Sequence, residues 1–94
     1  MEFEWDEDKR RINLRNHGLD FANAHRVFTK DAFVTVDDRE DYGEERYTLL
    51  GLMRERIVVI AFTVRYDVIR IISMRKANKR EQKNYVQKRF GKIR

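Results

Sequence analysis

Residues 47–74 read YTLLGLM-RER-IVVIAFTV-RYD-VIRIISM, which is three apolar runs separated by short polar segments. The runs are rich in Ile, Val, Phe and Tyr, the residue types that are enriched in β-strands. The polar segments between them have the length of tight hairpin turns. We therefore predict a meander of three antiparallel strands over residues 47–53, 57–64 and 68–74.

The flanking segments add two further strands and helices at both ends. Residues 32–36 and residues 3–5 have strand character. Asp6 and Gly18 suit the N-cap and the left-handed C-cap of a first helix, and a short second helix follows from Asp20. Residues 76–90 predict a basic amphipathic helix. The resulting order, β-α-α-β-β-β-β-α, indicates an α+β domain whose helices pack on an antiparallel sheet.

Composition sets the size of the fold and excludes several kinds of site. The chain has 94 residues, 41% hydrophobic and 39% charged, so we expect a single domain over residues 1–94 with a hydrophobic core. It contains no cysteine, which excludes disulfides, thiolate metal ligands and a cysteine nucleophile. With two histidines, no metal site is expected, and no cofactor is expected in so small a domain. The acidic N-terminus and the short apolar run 57–62 predict neither an export signal nor a membrane helix, which favours a cytoplasmic protein without a membrane partner.

Charge is segregated along the chain. The formal net charge is +5, but residues 37–45 carry six acids and one base, whereas residues 75–94 carry nine bases and one acid. A basic C-terminal segment favours an anionic partner such as nucleic acid.

Strand alternation brings a polar cluster to one end of the predicted meander. If residues 54–55 and 66–67 form two-residue turns, Arg46 lies opposite Thr63, and Thr63 lies opposite Arg70. The same registers place Ile72 and Met74 on the face of this cluster. Arginine offers a fixed fork of donors and a permanent charge, which suits a phosphate or a phosphorane. The predicted cluster comprises Glu44, Arg46, Thr63, Arg65 and Arg70; the alternative interpretation is a surface ladder of cross-strand ion pairs.

A second polar group is predicted at the opposite end of the strands, about 20 Å away. At that distance the two groups of residues cannot both contact the same scissile bond. The second group is either a patch that follows a nucleic-acid backbone or a solvated helix face. Its members are Arg54, Arg56, Ser73 and Arg75, continuing into Lys76, Lys79, Arg80 and Lys83.

The first helix carries a polar stripe. Lys9, Asn13 and His17 recur at i, i+4 and i+8 and therefore share one face. A histidine is suited to general acid or base chemistry. The alternative for His17 is a structural role at the helix C-terminus, where an imidazolium interacts favourably with the dipole.

The residues of both halves of the chain form a combined motif. In the first half its members are Phe3-Glu4-Trp5-Asp6, Lys9, Asn13, His17-Gly18, Asp20-Phe21 and Val27-Phe28. In the second half they are Gly43-Glu44, Arg46, Thr63, Arg65, residues 70–77, Glu81 and Tyr85. Together these residues resemble the BrnT toxin family over nearly the whole chain. The resemblance implies a RelE-like, metal-independent ribonuclease of a type II toxin–antitoxin system, which shuts down translation. It also implies a BrnA-like antitoxin partner with a ribbon-helix-helix domain, and contact with operator DNA only through the toxin–antitoxin complex.

The mechanism that follows is cleavage of single-stranded RNA by attack of the ribose 2′-OH on the adjacent phosphate. This reaction needs a proton acceptor, a proton donor and cations for the developing charge. His17 or Glu44 is expected as the base, and Lys9 or the remaining partner as the acid. The phosphorane is expected to be stabilised by Arg46, Arg65 and Arg70. A non-catalytic module that binds nucleic acid or a protein partner is the alternative.

Overall fold

The computed structural model describes residues 1–91. Its elements are β1 (Glu2–Trp5), α1 (Glu7–His17), a 3₁₀ helix (Phe21–Val27), β2 (Phe33–Asp37), β3 (Arg46–Met53), β4 (Arg56–Arg65), β5 (Val68–Lys76) and α2 (Lys79–Phe90). The α+β class is confirmed. The other strands have bounds within one residue of those predicted, but two larger differences occur: the second helix is a 3₁₀ helix, and β5 extends to Lys76, so that α2 begins three residues later than expected.

The sheet is mixed, and the expectation of a wholly antiparallel sheet is wrong. Its strand order is β1-β5-β4-β3-β2, in which β1 pairs with β5 in parallel and all other pairs are antiparallel. Pairing β1 with the last strand lets its Phe3 and Trp5 side chains pack against the main core. The orientation depends on a contact between strands more than sixty residues apart, which local strand patterning does not specify.

The predicted hairpin between β3 and β4 is confirmed, whereas the next hairpin changes register partway along. Arg46 pairs with Thr63, and the pairing continues to Met53 and Arg56 around a two-residue turn. The pair β4·β5 keeps the predicted register from the turn to Phe62 and Ile71, and then a bulge shifts it. Beyond the bulge Ala61 pairs with Ser73. A bulge inserts one extra residue and exchanges the faces of all residues that follow.

Each face of the sheet has its own hydrophobic cluster. The 3₁₀ helix covers the first face, which we call the core face, with Phe21, Ala24 and Val27. The other face, which we call the polar face, is covered only in part: Tyr85 and Ala77 of the α2 region pack there on Leu50 and Val59. The prediction that Met74 lies on the polar face is wrong, since the bulge turns its fully buried side chain into the core-face cluster.

Caps define the helix ends. The Asp6 carboxylate accepts the Lys9 backbone N–H at the start of α1, and Gly18 ends this helix in a left-handed conformation with φ of 69°. Asn78 and Glu81 form a reciprocal capping box at the start of α2. None of the helices formed by residues 1–91 is long and apolar enough to cross a membrane.

Candidate active site

A polar row crosses all five strands on the polar face. Strand pairing places Arg46 beside Thr63 and Thr63 beside Arg70, as the hairpin registers predict. β2 adds an acid on one side of this row, and the parallel strand β1 adds an acid on the other. We call the set the Arg46 row; in spatial order it consists of Asp37, Arg46, Thr63, Arg70 and Glu4.

Two of the three predicted arginines are neutralised by carboxylates. Arg65 Nε and Nη2 donate to the two oxygens of Glu44 at 3.1 and 3.2 Å, which brings Glu44 opposite Arg65 as predicted. Arg70 Nη1 donates to Glu4 Oε2 at 3.0 Å. The cross-strand ion pairs of the alternative interpretation therefore exist at both positions. Glu4 was not singled out as a site residue from the sequence, because its proximity to Arg70 depends on the parallel pairing of β1.

Arg46 differs from its neighbours because no acid neutralises it. Its Nε atom is buried and has no hydrogen-bond partner, and no ion pair to it occurs within residues 1–91. The guanidinium lies over the ring of Tyr42, 4.0 Å from the ring centroid. A guanidinium that lies over an aromatic ring and lacks an anion has unfilled donor capacity for a ligand.

The acidic loop before β3 is folded onto this row. Arg39 Nε donates to Asp37 Oδ1 at 2.8 Å, and this hydrogen bond lowers the pKa of Asp37 to about 2. The Tyr42 hydroxyl lies 3.4 Å from Asp37 Oδ2. The buried Thr63 hydroxyl donates to the Glu45 carbonyl at 2.7 Å, so it holds the loop end in place. Tyr42 and Asp37 were not predicted from the sequence as site residues, since the segment 37–45 was distinguished only by its excess of acids.

The structure does not bring Lys9 and His17 to the Arg46 row. α1 packs against β5 and the 3₁₀ helix, which covers the core face. Gly18, the residue after His17, lines a cavity together with Met53 at the β3–β4 turn. That turn is at the far end of β3 from Arg46, about 23 Å along the strand.

The middle residue of the α1 stripe has a structural function. Asn13 is 8% exposed; its Nδ2 donates to the Leu19 carbonyl at 3.1 Å and its Oδ1 accepts the Met74 N–H at 3.2 Å. Asn13 therefore supplies a hydrogen-bond acceptor for the Met74 N–H on the part of β5 that β1 does not reach. His17 lies in the last turn of α1, where a positively charged imidazolium would interact favourably with the helix dipole; this is the position expected for a structural role.

The predicted basic group divides into two parts. Six of its residues are exposed at the β3–β4 turn, at the end of β5 or on the first turns of α2: Arg54, Arg56, Lys76, Lys79, Arg80 and Lys83. Arg75 and Ser73 instead lie on the polar face with Arg46, because the bulge turns them there. Arg75 donates to both oxygens of Glu81 at 2.8 and 2.9 Å, which lowers the pKa of that carboxyl.

The site offers charge and hydrogen bonds for an anion. Within residues 1–91 no group of three or more His, Asp or Glu side chains is arranged to hold a metal ion. The Arg46 row and the adjacent Glu44–Arg65 pair instead supply one guanidinium without an ion-pair partner, two ion-paired guanidiniums and three carboxylates, those of Glu4, Asp37 and Glu44. Such a set can bind a phosphate and accept a proton beside it.

Comparison with known proteins identifies one family. The model described as "Ribonuclease toxin, BrnT, of type II toxin-antitoxin system" matches residues 5–81. The matched segment contains Arg46, Thr63 and Arg70 of the row, the Glu44–Arg65 pair and Glu81. No curated protein matches the chain.

Proposed function

Because this chain belongs to the BrnT family of ribonuclease toxins of type II toxin–antitoxin systems, we propose that it is a metal-independent endoribonuclease. Its substrate would be single-stranded RNA, cut by attack of a ribose 2′-OH on the adjacent phosphate. The family supplies the ribonuclease class, and the arrangement of side chains around Arg46 supports the mechanism. The proposal includes a RelE-like fold for one domain over residues 1–94.

Arg46 carries the proposal. It is the cation of the Arg46 row that no carboxylate neutralises, and its buried Nε donor lacks a partner within the described residues. A phosphodiester oxygen would accept a hydrogen bond from the Nη groups of this guanidinium, which form none within the described residues and are not among its buried atoms. This interaction strengthens as negative charge builds on the phosphorane, because a preorganised donor costs no reorganisation during the reaction. Tyr42 holds the guanidinium plane in place.

The other groups take roles that their geometry allows. The Glu44 carboxylate, which lies beside the row, accepts the proton of the attacking 2′-OH. Arg65 and Arg70 stabilise the phosphorane through donors that their carboxylate partners do not use. Of the two predicted bases, Glu44 is preferred to His17, since His17 lies at the other end of the sheet. With Lys9 also away from the row, water protonates the leaving 5′-oxygen; the Arg65 side chain is 48% exposed, so water reaches the cluster.

The exposed basic residues at the β3–β4 turn and on α2 would follow the RNA backbone beyond the scissile phosphate. Their contribution depends on salt, since it arises from released counterions. DNA would not be cut because it lacks the 2′-OH nucleophile.

In the cell, the proposed activity removes mRNA and thereby stops translation in the cytoplasm. Neutralisation would fall to a BrnA-like antitoxin with a ribbon-helix-helix domain. Operator DNA would be bound through the antitoxin of that complex, because the basic residues of this chain are assigned to RNA.

The test compares purified parent with Arg46→Gln and with Arg15→Gln, an exposed arginine on α1 that serves as the control. Cleavage of a labelled single-stranded RNA is measured in EDTA, and the 3′ ends are examined for 2′,3′-cyclic phosphate. Arg46→Gln is expected to lose about 10²- to 10³-fold in rate, as for removal of an oxyanion donor. Arg15→Gln is expected to match the parent.

Three outcomes would refute parts of the proposal. Equal rates for Arg46→Gln and parent exclude the assigned phosphate site. Activity that needs an added divalent metal excludes the metal-independent mechanism. RNA binding by the parent without any cleavage favours the non-catalytic module.

A further inference from the structure

A second row of side chains lies next to the Arg46 row on the polar face. It sits two residues further along β2, β3 and β4, and three residues further along β5 because of the bulge; it lies about 7 Å from the Arg46 row, between that row and α2. Three of its four members carry hydroxyl groups, none of which bonds to another side chain or backbone group of residues 1–91. In spatial order the members are Thr35, Thr48, Ala61 and Ser73, and we call them the hydroxyl row.

The hydroxyl row forms the floor of a cavity. The cavity has a volume of about 340 Å³, which is at the lower end of the range for small-ligand pockets. One wall contains the Asp37–Arg39 ion pair and the opposite wall contains the Arg75–Glu81 ion pair. Ala61 in the middle of the floor leaves room for a flat group.

The charges around this cavity do not attract a second anion. Each wall contains one guanidinium paired with one carboxylate, and Asp38 adds a further carboxylate, so the lining holds three carboxylates and two guanidiniums. The cavity therefore does not favour a second phosphate. It presents hydrogen-bond donors and acceptors side by side, which matches the edge of a nucleobase.

We propose that this cavity binds the nucleobase next to the scissile phosphate and sets the sequence preference of cleavage. This inference rests on the proposed ribonuclease function and on Arg46 as the phosphate site. Ser73 and Thr48 would hydrogen-bond the base edge. Arg75 holds Glu81 through the edge of its guanidinium, which leaves the guanidinium plane free to stack on the base.

The β5 bulge is what creates this cavity. Without it, the register at the start of the β4–β5 hairpin would continue and turn Ser73 and Arg75 toward the core face, with Met74 in their place. Bulges recur beside active sites because they redirect side chains. Here the bulge puts a hydroxyl and a guanidinium, in place of a thioether, on the face that holds Arg46.

The experiment measures binding without turnover. The four nucleoside 3′-monophosphates and inorganic phosphate are titrated separately into the parent, Ser73→Ala, Thr48→Val and Thr29→Val. Thr29 is an exposed threonine away from the cavity and serves as the control for loss of a hydroxyl. Arg46→Gln is titrated in parallel, and each variant is first shown to melt like the parent.

The parent is expected to prefer some bases over others. Ser73→Ala and Thr48→Val are each expected to reduce the ratio between the tightest and the weakest nucleotide about three- to tenfold, the value of one hydrogen bond. Inorganic phosphate should bind these two variants as it binds the parent and should not bind Arg46→Gln. Thr29→Val should keep the parent's ratio.

Equal binding of all four nucleotides by the parent would overturn the inference, as would unchanged ratios in both Ser73→Ala and Thr48→Val. Binding of none of the four would overturn it as well. These outcomes are independent of catalysis, since nucleotide discrimination needs no cleavage. A parent that discriminates bases but cuts no RNA would refute the proposed function and leave the base site standing.

Discussion

Replacing Asn13 by Ala is the change whose cost follows most directly from the structure. The Asn13 side chain is 8% exposed and connects α1 both to β5 and to the loop that follows α1, because it donates to the Leu19 carbonyl and accepts the Met74 N–H. Alanine would leave one buried acceptor and one buried donor without partners. β1 ends at Trp5, which pairs with Ile71, so it offers no substitute acceptor for Met74.

The expected loss is about 2–4 kcal/mol of unfolding free energy. Each unsatisfied buried group costs about 1–3 kcal/mol, and water entering the space of the missing amide offsets part of the two penalties. In a domain of this size, about 2 kcal/mol corresponds to a decrease in Tm of at least about 8 °C. That is a large part of the stability of a small domain.

Urea unfolding followed by tryptophan fluorescence and far-UV circular dichroism measures the change. The control is Asn16→Ala, an exposed asparagine on the same helix, for which a change within about 0.5 kcal/mol is expected. Asn13→Asp separates the two bonds, since it keeps the acceptor for Met74 and removes the donor to Leu19. A loss below about 0.5 kcal/mol for Asn13→Ala would refute the structural role and make Asn13 a candidate site residue again.

Three further predictions concern packing, pH and salt. A Cβ at Gly51 would lie 2.6 Å from Val27 Cγ1. Gly51→Ala should therefore lower the free energy of unfolding by about 1–3 kcal/mol in the same urea assay. A neutral result contradicts the packing of β3 on the 3₁₀ helix. Arg75 lowers the pKa of Glu81, and Glu81→Gln should therefore remove a stabilisation of below about 1 kcal/mol, since this pair is partly exposed. This stabilisation should be present above pH 4.5 and should disappear as the pH falls through the lowered pKa of Glu81. Thermal melts across this range check the sign, and a difference that grows toward acid pH refutes it. The substitutions Lys79→Gln, Arg80→Gln and Lys83→Gln remove positive charge from α2. They should reduce the slope of log K for RNA binding against log salt concentration by about 0.7 for each phosphate that is no longer neutralised. An unchanged slope excludes these residues from the RNA path.

Much of the candidate site could be anticipated from strand alternation. A two-residue turn after Met53 is enough to place Arg46 opposite Thr63, and the second turn places Arg70 beside them. These pairings span one hairpin each, so the turn positions determine the register. The partner of Arg70 could not be anticipated in this way, since Glu4 reaches it through a strand from the opposite end of the chain.

The expected roles of Lys9 and His17 show the limit of helical periodicity. Spacing correctly puts both on one stripe of α1 with Asn13, but periodicity does not say where the helix packs. Packing against β5 and the 3₁₀ helix turns Asn13 inward as a structural bridge and leaves His17 at the end of the sheet remote from Arg46. In α2 the amphipathic pattern does agree with the packing, since Tyr85, one of its few apolar residues, is 2% exposed.

Local interactions in the sequence specify most of the helices and strands of this protein without any tertiary contact. Asp6 and Gly18 delimit α1, and alternation separates the two faces of β3 and β4, because caps and alternation act within a few residues. The sequence pattern predicts the start of α2 at residue 76, whereas the Asn78 cap places it at Lys79. Long-range packing set the parallel orientation of β1 and the bulge in β5, since both depend on which side chains the 3₁₀ helix and α2 bury. The bulge buries Met74 in the core and moves Ser73 and Arg75 to the polar face. The depth and chemistry of the proposed RNA site therefore follow from burial energy summed over the whole sheet, which no single segment contains.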